Sequence, residues 1–323
     1  MIAIQRDASN HSLVPDEDYY QPNESLKNLF RDIVTQPFKR RLSSLAVELE
    51  NGRYTRMNAL RKSILEQGQT NFDESSKGFS PEDKVLLYCV NYMPMHLYSS
   101  YYIFRRKLFL PVSNKVIFID FGCGPLTSGI AFWVATRGAR QIDITYVGID
   151  SSQTMLNTAE KINQYGPYGS DRSNDPFYKD DQLHLIPNYD RLPQLLADIN
   201  INGDNSGDAL IIFNFCYFLQ SNTFNESSNM ETLGNLLEAV AFDYGHNKIC
   251  MVYQDPVSNR FQERWHGLKS QVIAYHSIFD MGFTWQDPTE EARIKYDTLW
   301  GEPNTVKVSY DTFNNFHCLG LIY

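Results

Sequence analysis

The sequence predicts an α/β fold: a doubly wound, mostly parallel sheet of seven strands, the last one antiparallel, preceded by an N-terminal helical extension. Three observations carry this. From Lys115 onward, short apolar β-rich runs alternate five times with helical stretches, the pattern of successive βαβ units. The runs "VIFI" and "ALIIFNF" are continuously apolar, as strands covered on both faces must be. Before Lys115 the apolar residues recur at helical spacing instead.

Taken in order, residues 1–24 are polar, carry Pro15 and Pro22, and read as an irregular arm. In "SLKNLFRDIVTQ", Leu26, Leu29, Phe30 and Ile33 fall on one helical face. "FKRRLSSLAVELE" and "RYTRMNALRKSILEQ" follow, separated by the turn Asn51-Gly52. "GQTNFDESSKGF" is a loop. Ser80-Pro81-Glu82-Asp83 starts a helix, with a cap, a proline at the first position and acids in the first turn. That helix runs toward Arg106, with a kink expected near Pro94. The strand–helix pairs are "KVIFID" with a helix over 127–137, "ITYVGID" with one from Ser152 to Asn163, and "LHLIP" with "RLPQLLADI". "DALIIFNF" precedes "METLGNLLEAVAF", and "KICMVYQD" precedes "RFQERWHGLKSQVIAYHSIF". "VKVSYDTFNNFHCLGLIY" has no following helix and reads as one or two strands returning to the sheet. The chain thus divides into a helical region over 1–110, expected to serve as a lid or in substrate or partner recognition, and a sheet domain over 111–323; "NYMPMHLYSSYYIFRRK" reads as a helix–sheet interface or as an aromatic wall for the substrate.

At 323 residues, 42% hydrophobic and 21% charged, the chain can build a sizeable core. A net charge of −9 argues against broad binding to nucleic-acid phosphates. One segment differs: Lys39, Arg40, Arg41, Arg53, Arg56, Arg61 and Lys62 face only Glu48 and Glu50. It reads as the solvated side of two helices and keeps RNA as a rival partner. The five cysteines are scattered without ligand spacing, so neither a disulfide framework nor a metal site is expected. No signal-peptide core and no run of about 18 apolar residues is seen, so the expectation is a cytoplasmic protein without membrane contact.

The chemistry concentrates in "KVIFIDFGCGPLTSG". In an open α/β sheet, ligands bind beyond the carboxyl ends of the strands. Asp120 ends the first strand there, and Gly122 and Gly124 let the chain turn tightly and a ligand approach the backbone. A carboxylate beside a diphosphate would be repulsive, and the third glycine of the dinucleotide fingerprint is absent. An acid there suits a cation, an ammonium or a hydroxyl. Asp150, at the tip of the next strand, is placed to accept both hydroxyls of a ribose.

These residues resemble the class I S-adenosylmethionine-dependent methyltransferases. "FIDFGCGPLTSG" is similar to that family's D-x-G-x-G motif, and "GIDSSQTMLNTAEK" to its second motif. The resemblance implies S-adenosylmethionine as cofactor. It implies Asp120, Gly122, Cys123 and Gly124 along the methionine tail, Asp150 and Ser151 at the ribose, and Met155 against the adenine. In "LHLIPNYDRLP", Asn188 stands at the usual acid's place, toward the adenine amino group; in "LIIFNFCYFL", Asn214 and Phe215 face cofactor and substrate. Leu126 stands where a third glycine is common, and no N-P-P-Y or D-P-P-Y follows the fourth strand, which turns the reading away from methylation of base amino groups. Each residue also has an ordinary use: the glycines as a tight turn, Asp150 as a helix cap, Met155 as core filler.

Methyl transfer rests largely on alignment, and a base is needed only where the acceptor must lose a proton. The catalytic candidates are Asn214, Tyr217, Tyr253 and His266, with Gln254 and Asp255 also at a strand end. The functional expectation is a methyltransferase acting on a small molecule or a protein. The alternatives are an RNA methyltransferase docked by the basic helices, or a non-catalytic protein of the same fold.

Overall fold

The continuously apolar runs form the middle of a sheet, where both faces of each strand are covered. The computed structural model describes residues 4–6, 18–108, 115–136, 142–167, 175–199, 209–244, 247–275 and 289–314. Its first part holds β1 (Ile4–Arg6), β2 (Asp18–Pro22), α1 (Glu24–Leu29), a π-helical stretch (Phe30–Thr35), α2 (Gln36–Arg41), α3 (Ser43–Glu50), α4 (Thr55–Ser63) and α5 (Pro81–Arg106). The sheet units follow: β3 (Lys115–Phe121), α6 (Thr127–Thr136), β4 (Asp143–Ile149), α7 (Gln153–Tyr165), β5 (Leu183–Ile186), α8 (Leu192–Asp198), β6 (Leu210–Cys216), α9 (Ser227–Asp243), β7 (Lys248–Pro256) and α10 (Asn259–Tyr275). β8 (Glu290–Asp297) and β9 (Pro303–Asn314) end the described chain, so the expected strand beyond Asn314 lies outside it.

The sheet has nine strands in the order β1-β2-β8-β9-β7-β6-β3-β4-β5. β3, β4, β5, β6 and β7 pair in parallel. β9 runs antiparallel to both β7 and β8. The returning strand β9 is reversed, as the sequence predicts, whereas β8 is a strand that the sequence reading does not contain. The two further strands correct the expectation of an irregular arm over 1–24: β2 pairs in parallel with β8, and β1 pairs antiparallel with β2. "IQR" and "DYYQP" are too short and too polar to show a strand period. Side-chain anchoring supplies what the pattern lacks. Tyr19 donates its hydroxyl to Asp297, and Tyr20 is buried with its ring 5.6 Å from that of Tyr101.

Alternation along β3 sends Val116 and Phe118 into one apolar layer and Ile117, Ile119 and Phe121 into the other. The first layer packs under α5, α6 and α7, where Phe104, Phe118 and Phe132 cluster. The second packs under α8, α9 and α10, around Trp265. α5 begins with the reciprocal cap that "SPED" implies: Asp83 N–H donates to Ser80 Oγ at 3.2 Å, and Ser80 N–H to Asp83 Oδ2 at 3.1 Å. It then continues as one helix of 26 residues through Pro94. Among the described residues no helix is long and apolar enough to cross a membrane.

Because Tyr20 belongs to the core, Tyr20→Ala should lower stability by about 3 kcal/mol in urea denaturation. A loss below about 0.5 kcal/mol, the usual range for a surface change, would return this segment to the status of a loose arm.

Candidate active site

The strand order reverses direction between β3 and β6, and the crevice beyond their carboxyl ends is where such sheets bind ligands. A cavity of about 840 Å³ lies there. The turns after β3, β4, β5 and β6 contribute Gly122 and Gly124, Asp150 to Ser152, Pro187 to Asp190, and Tyr217 and Phe218. The loop ahead of α5, from Gln67 to Glu74, forms a further wall.

Below the cavity a polar row crosses the α5 face of the sheet. Asp120 is fully buried and accepts from Tyr146 Oη at 2.6 Å and from Asn214 Nδ2 at 2.7 Å. Cys216 Sγ donates to Asn214 Oδ1 at 3.1 Å, and Gln254 Nε2 donates to Ser99 Oγ of α5 at 2.5 Å. Burial pushes the Asp120 carboxyl up to about 7, against the two hydrogen bonds that favour its ionised form. Asp120 is not among the residues that line the cavity. It acts on the site through the loop that follows it.

That loop is built for close approach. Gly122 and Gly124 both have positive φ, and a Cβ on Gly122 would lie 2.8 Å from the Phe218 ring. Gly124 N–H donates to Asp150 Oδ2 at 3.0 Å, and Ser152 N–H to Asp150 Oδ1 at 2.9 Å. Each carboxylate oxygen keeps a free lone pair. Burial raises the Asp150 carboxyl to about 6, opposed by those two backbone bonds. Met155, held by the Ser152 cap of α7, lies on the same wall. Asn188 lines the cavity too, but its amide is engaged: Oδ1 accepts from Asp190 N–H at 2.8 Å and Nδ2 donates to Asp190 Oδ2 at 3.0 Å.

The wall loop is fastened at two sides. Asp73 accepts from Ser152 Oγ, from the backbone N–H of Gln153 and Thr154, and from Thr154 Oγ1, all within 3.0 Å. These bonds hold its carboxyl below the ordinary range despite partial burial. On the other side, Gln69 Nε2 donates to the Gln220 carbonyl at 3.2 Å.

The inner end is aromatic. Tyr88, Tyr92 and His96 lie on one face of α5 at four-residue spacing and all reach the cavity. The His96 ring stacks on Tyr217 with centroids 3.6 Å apart, and Tyr92 stacks on it at 5.7 Å. Tyr217 has φ +59° and its hydroxyl lies 3.1 Å from Ser99 Oγ. His96 Nδ1 lies 3.2 Å from Tyr88 Oη, whereas Nε2 has no hydrogen-bond partner. Burial drives this imidazole down to about 3, so it is neutral at physiological pH.

The structure therefore gathers Gly122, Gly124, Asp150, Ser151, Met155, Asn188 and Tyr217 around one cavity. Asp120, Cys123, Asn214, Phe215, Tyr253 and His266 are not on its wall. Asn214 faces Asp120 instead, and Cys123 is buried, its thiol donating to the Gly124 carbonyl at 3.6 Å. Phe215 and Tyr253 have the opposite strand parity and point into the second apolar layer, Phe215 against Phe121 and Tyr253 against Trp265. Sequence reasoning offered the stretch around Tyr92 and His96 as an aromatic wall but did not single out His96, Tyr88, Tyr92 or Asp73. The i, i+4, i+8 spacing of the three rings was the available signal; Asp73 had none, since its partners lie some 80 residues away. Among the described residues no group of His, Cys, Asp or Glu is placed to hold a metal ion.

No family model and no curated protein matches the chain. Solved structures overlap it weakly. The plantazolicin methyltransferase BpumL, in complex with SAH, is 13% identical, with 88% of this chain and 93% of that chain covered and a TM-score of 0.26. A SAM-dependent methyltransferase from Methanosarcina mazei is 10% identical, covering 62% and 93%, with a TM-score of 0.29. Precorrin 8w decarboxylase from Methanobacterium thermoautotrophicum is 12% identical, covering 62% and 82%, with a TM-score of 0.32. Overlaps this loose lend no weight to any activity of this chain; the strand order and the cavity bear on that question.

Two outcomes follow from the geometry. Asp73→Ala should cost about 1 kcal/mol, the usual value of a helix cap, and speed hydrogen exchange at the Gln153 and Thr154 amides. Unchanged exchange there would show that the loop is not fastened at Asp73. For Asp120, the folded pKa of about 7 lies above the ordinary 3.8, so its contribution to stability is fully present below pH 4 and is lost as pH rises through 7. Asp120→Asn removes that dependence. Relative to the parent chain, its urea midpoint should rise steadily between about pH 4 and 7; a difference constant with pH would contradict the buried, elevated carboxyl.

Proposed function

We propose that this protein is an S-adenosylmethionine-dependent methyltransferase whose acceptor is a small molecule or a protein side chain. The observation that carries the reading is Asp150. Its carboxylate stands at the tip of the second parallel strand, on the cavity wall, anchored through Gly124 and Ser152 with one lone pair left on each oxygen. That is the chemistry a ribose diol requires. The positive-φ turn at Gly122 and Gly124 leaves backbone beside it for the methionine portion, and Met155 offers an apolar face to the adenine. Asn188 retains one acceptor lone pair for the adenine amino group. S-adenosylmethionine would supply an electrophilic methyl group on a cationic sulfonium. The chain's own residues would bind, orient and shield it from water, the loop over 67–74 closing one side.

An RNA acceptor draws less support. Of the basic segment, Arg41 is engaged with Asp83 at 2.6 Å, Arg56 with Glu48 at 3.1 Å, and Lys39 with Glu50. These pairs leave fewer cations for phosphates. A non-catalytic role for the same cavity predicts cofactor binding without turnover.

Calorimetry with S-adenosylmethionine is the direct test, and micromolar binding is expected. Asp150→Ala should weaken it at least tenfold, in keeping with the roughly 1.5–3 kcal/mol of hydrogen bonds to a charged group. Affinity should also fall as pH drops through about 6, where Asp150 takes up a proton. No binding at millimolar cofactor would sink the proposal, and an unaffected Asp150→Ala would remove its ribose role.

A further inference from the structure

We infer that the inner, aromatic end of the cavity is the acceptor subsite and that it takes an amine, bound as its ammonium; one N–H proton passes to solvent before the freed nitrogen lone pair forms the N–CH3 bond as the S–CH3 bond of the sulfonium breaks. The inference deepens the methyltransferase reading and rests on it for the word acceptor; the preference for a cation stands on the lining alone. Four carboxylates line the cavity (Asp73, Glu74, Asp150 and Asp190), and among the described residues no lysine or arginine does. Arg61 lies over the Tyr92 ring, 6.0 Å from its centroid, and is not on the wall. A carboxylate or phosphate acceptor would meet acids and no counter-charge.

The aromatic groups point the same way. Tyr217 and Tyr92 stack on His96 and Tyr88 meets it at 69°, and such electron-rich rings attract ammonium groups. Two buried polar atoms here have no partner: His96 Nε2, in a residue 5% exposed, and Tyr92 Oη, in one 8% exposed. In the tautomer whose Nδ1–H donates to Tyr88 Oη, Nε2 is an acceptor that needs a donor. The Tyr92 hydroxyl can accept from the same donor while its own O–H serves a polar group of the ligand. An ammonium brings several N–H donors and no acceptor, whereas a carboxylate brings none. Burial keeps the imidazole uncharged, so it does not repel a cation.

The test uses the full chain and three probes of one shape: benzylamine, benzyl alcohol and benzoate. Each is titrated calorimetrically at pH 7, with and without saturating S-adenosylhomocysteine. Benzylamine is expected to bind at least tenfold more tightly than benzyl alcohol, with no heat from benzoate. His96→Phe keeps a stacked ring and removes both nitrogens. It should weaken benzylamine at least fivefold while leaving S-adenosylhomocysteine affinity within twofold. Tyr92→Phe, which deletes only the unpartnered hydroxyl, should do the same to a smaller degree and serves if His96→Phe does not fold. Absence of benzylamine binding overturns the inference. So does benzyl alcohol or benzoate binding as tightly, or benzylamine affinity unchanged in the folded variants. If benzylamine binds but S-adenosylhomocysteine does not, the cation site stands and the methyltransferase reading falls; the reverse pattern leaves that reading and removes the amine.

Discussion

A carboxylate buried at the end of a parallel strand constrains everything around it. Asp120 has no access to water, so two donors must reach it from the neighbouring strands. Asn214 does so from the position directly across in β6, and Tyr146 from two residues before the position across in β4. That position is Gly148, where a Cβ would lie 2.9 Å from the Tyr146 ring. Slipping either neighbour by one residue would turn its donor to the other face and remove one of the carboxyl's two partners. The requirement thus fixes the register of the three central strands. It also extends sideways, through Asn214, Cys216 and Gln254, to Ser99 and Ser100 on α5.

The placement of α5 follows from that row, and with it the aromatic end of the cavity. His96, Tyr92 and Tyr88 stand one, two and three turns before Ser100 on the same helical face. Tyr217 meets them from the sheet side in a left-handed conformation that an ordinary residue adopts at a cost of about 1 kcal/mol. Its N–H donates to the Gln254 carbonyl at 2.6 Å and its ring is clamped on His96. Leu126 carries a similar penalty at φ +65°, where it is fully buried. Although Leu126 stands where a third glycine is common, the turn keeps the conformation a glycine would take, and burial of the leucine side chain offsets the strain.

The central fold was legible because parallel strands are covered on both faces and so read as unbroken apolar runs, each followed by a helical period. β1, β2 and β8 were not. They lie on the far side of β9, where "IQR", "DYYQP" and "EEARIKYD" carry too few apolar residues to declare a strand. The cofactor-side residues were legible because a glycine turn and a strand-end acid are local features. The inner wall was not, because it joins residues far apart in the chain: His96 meets Tyr217, and Asp73 meets Ser152. Strand parity explains Tyr253 and Phe215. Both sit at strand ends, as a site residue should, yet odd positions of β6 and β7 face the second layer.

The electrostatics of the rim decide what the helix after the second strand can receive. A free helix N-terminus is a ready site for an anion. Here the N-terminus of α7 is already served by three side chains of this chain: the Ser152 hydroxyl takes the Met155 N–H, Asp73 takes those of Gln153 and Thr154, and Asp150 takes that of Ser152. The positive end of the helix has been answered by two carboxylates, so an incoming anion would displace bonds and meet like charge. A ligand that brings hydroxyls and positive charge meets neither obstacle. The same capping that fastens the wall loop therefore selects, by charge, what the crevice beyond the strands can hold.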